Sequence, residues 1–139
     1  MTPRTRSMTK AETQIRAQHA HAFLEAAMLI ADLGEDAGIS TTGNVIGSLA
    51  VLAGIAAADA ICGAVLSERA AGQDHAEAVT LLNSTKPGKA VAPSLRRLID
   101  TKTETQYSSG ILADGRSADL VKAANRLVTA MDQVLRSMH

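Results

Sequence analysis

Residues 45–66 form an unbroken apolar run of 22 residues, rich in alanine and glycine, with one charge in it, Asp59. No other feature restricts the fold as much. The run is long enough to cross a bilayer. Yet alanine and glycine add little insertion energy, and a central aspartate costs about 2.5–3.5 kcal/mol on insertion scales. A helix buried around its whole circumference at the centre of a helical bundle is the better expectation, with no membrane partner. On that helix Val45, Leu49, Leu52, Ala56, Asp59, Gly63 and Leu66 fall on one stripe. The Asp59 carboxylate therefore faces apolar neighbours and needs either a partner or a proton.

The rest of the 139 residues supports a helical reading, for the chain shows no run of alternating apolar residues. Ile15, His19, Ala22, Ala26, Leu29 and Leu33 step by four and three, which predicts a first helix over about 10–33 with this stripe inward. Ser40, Thr41 and Thr42 offer caps for a second helix over about 43–69. Asp74 and Glu77 have capping-box spacing for a short third helix through Leu82. Pro93 suits the first turn of a fourth helix at about 92–109, and Ser117 offers a cap for the last. The stripe of that last helix is Leu120, Ala124, Leu127, Met131, Val134 and Met138. The sequence thus predicts an all-α, up-and-down four-helix bundle with a short additional helix. It forms a single domain over 10–139, after a frayed lead-in over 1–9.

Charge and composition narrow the function. Fourteen basic and fourteen acidic side chains leave a formal net charge of +0, which disfavours strong non-specific nucleic-acid binding. Aromatic residues make up 1% of the chain, too few for a base-stacking platform. Cys62 is the single cysteine, so no intrachain disulfide forms, and a cytoplasmic protein is expected. The amino terminus lacks the apolar region of a signal peptide. A basic patch centred on Arg96 and Arg97 reads as a solvated face or a phosphate contact.

Several chemistries find no support. No glycine-rich phosphate loop and no nucleophile elbow is present. His21 and Glu25 stand four apart, but no second pair completes a metal set, so neither metal nor cofactor is expected. His19, on the inward stripe, reads as a core histidine. The remaining polar candidates are Asp59, His75, Lys102 and Tyr107. Lys102 shares a face with Leu95, Ile99 and Gln106, and is the expected partner of Asp59.

Two segments carry a family resemblance. In residues 55–82, IAAADAICGAVLSERAAGQDHAEAVTLL, a helix breaks into an Asp-His that opens the next helix. In residues 96–109, RRLIDTKTETQYSS, a basic stretch runs into a tyrosine before an amphipathic closing helix. Together with the order of elements, these resemble the HEPN domain. The resemblance implies an up-and-down bundle, homodimerisation, and association with nucleotide or RNA. Many members are metal-independent endoribonucleases with a late Arg…His motif. Here Tyr107 stands where that histidine would be, and its ordinary pKa near 10 makes it a poor base. Arg69 and His75 have the motif's spacing, five residues between them, at an earlier place in the chain. The expectation is therefore a non-catalytic binding or interaction module. A ribonuclease of the toxin or defence type, using Arg69 and His75 or an unusual Lys102–Tyr107 pair, is the first alternative. A purely structural helical protein that binds a protein partner is the second.

Overall fold

The structure, a computed structural model, describes residues 2–72, 75–106 and 114–138, with residues 103–106 and 114 entering through the backbone alone. Among the described residues five helices pack together: α1 (Lys10–Leu33), α2 (Thr42–Leu66), α3 (His75–Asn83), α4 (Ala92–Gln106) and α5 (Asp114–Ser137). Two short strands join them, β1 (Thr5–Ser7) and β2 (Glu68–Ala70).

Helix α2 is the centre, and its small side chains are the reason. Ala50, Ala53, Ala56, Ala57 and Ala60 are fully buried, so neighbouring helices approach closely on several sides. A Cβ at Gly54 would lie 2.4 Å from Leu98 of α4 and 3.3 Å from Leu127 of α5. At the other end, a Cβ at Gly63 would meet Thr13 of α1 at 2.4 Å. By length and composition α2 could cross a membrane, but 67% of its apolar window is buried against the protein's own elements. Bulk in the core comes from partners such as Leu82, Leu95, Leu98, Leu120, Leu127 and Met131.

Helix α1 starts on a capping box. The Glu12 N–H donates to the Thr9 hydroxyl, and the Thr9 N–H donates to Glu12 Oε1, both at 3.1 Å. It buries Thr13, Ala17, Ala20, Leu24 and Ala27, not the stripe of large residues expected to face inward. Ile15, Leu29 and Leu33 are 49%, 57% and 54% exposed, and His19 and Ala22 are exposed as well. The reason is steric: alanines on α1 can seat against the alanines of α2, whereas leucines at the same spacing would force the axes apart. The α5 stripe is buried as expected, except Met138, which is exposed.

Three boundaries differ from expectation. Ser117 lies buried inside α5, which begins at Asp114, so it is not that helix's cap. Thr41 precedes α2 in the left-handed region, φ 49°, without a side-chain cap. Helix α2 stops at Leu66 because Ser67 turns left-handed, φ 58°, and the chain leaves as β2. The lead-in expected to fray carries β1, which pairs antiparallel with β2: Thr5 opposite Ala70, Arg6 opposite Arg69, Ser7 opposite Glu68. The ladder extends through Met8 N–H to the Ser67 carbonyl and Ala71 N–H to the Arg4 carbonyl.

Candidate functional site

Asp59 is 8% exposed on α2, one helical turn before the buried thiol of Cys62. Burial pushes the Asp59 carboxyl above its ordinary range, opposed by the charge and hydrogen bond of Arg16 and more weakly by Arg69 and His75. The same burial, with Asp59 nearby, pushes the Cys62 thiol up to about 12, which keeps it a protonated packing group.

The partner of Asp59 is Arg16 of α1, whose Nη2 donates to Oδ2 at 3.0 Å. Lys102, expected in that role, instead lies with its Nζ 2.7 Å from Nε2 of His75. Which nitrogen donates in this contact depends on the tautomer of His75. Helix α2 draws on an arginine from its antiparallel neighbour α1.

Arg69 is held by the strand pair. In an antiparallel ladder directly opposite residues leave on the same face, so Arg6 and Arg69 project together. Like charges in that position repel, and an anion between them would relieve the repulsion. Glu12 lies near enough to feel Arg69. Its carboxyl is held below the usual range by the Thr9 N–H first, then by the Thr9 hydroxyl, with a smaller part from Arg69. Met8, Glu12, Ile15, Arg16, Asp59 and Arg69 line a pocket of about 340 Å³.

Arg16 from α1 thus contacts the buried carboxylate, Arg69 from β2 shares its pocket, and His75 from the start of α3 lies near it, in contact with Lys102 of α4. Of the sequence candidates, Asp59, His75, Lys102 and Arg69 belong to this cluster. Tyr107 and Asp74 lie outside the described residues. Arg96 and Arg97 are exposed on α4, and neither lines this pocket. Arg16 was missed, because nothing in its local spacing marks it; only the pairing of α1 with α2 brings it to Asp59. His19 is exposed and stacks obliquely with Phe23, while His21 reaches Asp132 of α5 at 2.8 Å. Among the described residues no group of three or more metal-ligating side chains gathers.

A larger groove, about 840 Å³, lies between α5 and the turn before α4, lined by residues including Val65, Lys86, Val91, Arg126 and Ala130. It is mainly apolar and contains none of the clustered residues, so size alone does not make it the site. No protein-family model matches the chain, and no curated protein matches it.

Proposed function

We propose that this protein is a HEPN-type helical binding module, without catalytic activity of its own, whose Asp59 cluster takes the phosphate of a nucleotide or a short RNA. The observation that carries the reading is the pocket in which Arg16 and Arg69 stand with the buried Asp59 carboxylate, with Arg6 opposite Arg69 on the strand pair. Three guanidinium groups exceed what Asp59 and Glu12 neutralise, and guanidinium forks suit phosphate oxygens. The up-and-down course of α1, α2, α4 and α5, with α3 as the short extra helix, supports the family assignment. Neutral overall charge suits a local phosphate site better than a long nucleic-acid track.

Calorimetric titration with ATP, and separately with a short single-stranded RNA, tests this. The wild type binds at least one of them, and Arg69→Ala weakens binding about tenfold or more while leaving the helical spectrum intact, as expected for loss of a charge-assisted phosphate contact. No binding at millimolar ligand, or an Arg69→Ala variant that binds unchanged, overturns the reading.

One observation favours a second reading, a metal-independent endoribonuclease. Arg69 and His75 both stand near the Asp59 carboxylate, and His75 Nε2 lies 2.7 Å from Lys102 Nζ, within reach of a proton relay. RNA incubated with the protein and a chelator stays intact on the first reading. Cleavage that His75→Ala abolishes in a folded protein establishes the second.

A further inference from the structure

We propose that the groove between α5 and the turn before α4 binds a free long-chain fatty acid, with the carboxylate on Arg126 and the acyl tail along α5. On α5, Arg126, Ala130, Val134 and Met138 recur every four residues and so share one face. All four line the groove of about 840 Å³, and Val65 of α2 and Val91 add to its apolar wall. That volume lies within the range of about 300–1,000 Å³ that small-molecule sites occupy. Val65 and Met138 are 40% and 56% exposed, so the fold leaves both of these large apolar side chains in water. Apolar surface left in water inside a recess marks a ligand site, whereas a flat bilayer surface would not reach its floor.

Charge and shape select the ligand. Two cations line the groove, Arg126 and Lys86, and no aspartate or glutamate does. Among the described residues neither cation enters a salt bridge, so both are available to an anion. A guanidinium fork matches the two oxygens of a carboxylate. From Arg126 to Met138 the face runs about 18 Å along the helix axis, the reach of a long acyl chain. Its alanine and valine walls take methylenes, and no aromatic ring lines the groove to stack a base. Asn125, Thr129 and Gln133, each one residue before a member of the stripe, are exposed and stay hydrated at its flank. Met138 also walls a narrower slot of about 290 Å³ with Gly63 and Leu135. A methionine side chain is unbranched and swings aside easily, so the end of the tail can pass from groove to slot. The groove shares no residue with the Asp59 pocket, and the slot shares only Met8 with it.

Calorimetric titration of the full chain with laurate, myristate and palmitate, each held below its micelle concentration, tests this. All three bind, and each added pair of methylenes tightens binding about fourfold, because an open groove buries roughly half of the tail. Dodecyltrimethylammonium, with the tail length of laurate and the opposite charge, binds about tenfold more weakly or worse. Arg126→Glu, at an exposed position, weakens laurate about tenfold or more and removes the preference for the anion. Thr129→Trp, also exposed, fills the groove and weakens palmitate while the helical spectrum is unchanged. No binding of palmitate overturns the proposal, as does equal binding of laurate and dodecyltrimethylammonium. A folded Arg126→Glu or Thr129→Trp protein that binds as the wild type does overturns it equally. So does flotation with phosphatidylglycerol vesicles by a protein that takes up no free palmitate, which would give the face to a membrane.

Discussion

Helices α1 and α5 are each 24 residues long, and each carries a stripe of apolar residues spaced by four and three. They use those stripes in opposite ways. In α5 the stripe is the core: Leu120, Ala124, Leu127 and Met131 are at most 1% exposed. In α1 the stripe faces out, and a second face of alanines, with Leu24 and Thr13, does the packing. Both helices lie against α2, and His21 to Asp132 also ties them to each other. The difference lies in what α2 offers each of them. Its alanine surface takes either a close alanine face or a bulky leucine face. Bulk from α4 and α5 already fills the space around Gly54, so α1 packs with its small residues. An apolar stripe therefore does not by itself state which face of a helix is buried.

The sharpest way to break this comparison is a matched pair of truncations. Leu127→Ala in α5 removes a fully buried side chain and should cost about 2–5 kcal/mol in urea unfolding. Leu29→Ala in α1, at a side chain 57% exposed, should cost less than about 0.5 kcal/mol. Equal losses would mean that the two stripes do the same work.

The polar tie between α1 and α2 comes next. Arg16→Ala strands a buried carboxylate and should cost about 2 kcal/mol near neutral pH, below the 3–5 kcal/mol of a fully buried pair because Arg16 is partly exposed. Asp59→Asn leaves a guanidinium that can turn to water and should cost about 1 kcal/mol. The pH dependence has a definite sign. Because the folded state raises the Asp59 pKa, it holds that proton to higher pH than the unfolded chain does. The stability Asp59 contributes is full below its unfolded value near 4 and is lost as pH rises through the raised folded value. Wild-type stability relative to Asp59→Asn should therefore fall from about pH 4 upward, then level off. A rise over that range would show that Arg16 outweighs burial.

The smallest expected difference is at the start of α1. Thr9→Ala removes the hydroxyl of the capping box and should cost about 1 kcal/mol, with α1 amides near Lys10 exchanging faster than those of α5. Unchanged exchange would mean that the β1–β2 pairing alone anchors that end.

The helices themselves were legible in the chain: periodicity located α1 within a residue at each end, and α2 was identified as the central element, although Leu52 and Val65 are exposed and its burial does not run around the whole circumference. Asp59 was legible too, since a lone carboxylate in an alanine run has few ways to be tolerated. His75 and Lys102 were recognisable as members of one cluster, although their contact with each other was not. The strand pair was not legible, because three residues on each side have too short a pattern to show a period of two.

Spacing along a chain is local information, and it determined which segments coil, where they stop and which side chains share a face. Only the packing of helices decided which face meets which. It turned the large stripe of α1 outward, gave Asp59 to Arg16, left Lys102 to His75, and set Arg69 beside Arg6. The physical reason is that a helix's own hydrogen bonds are satisfied whichever way it is rotated. Its rotation is settled by steric fit to neighbours distant in sequence, and the fit here turns on the absence of side-chain bulk along α2.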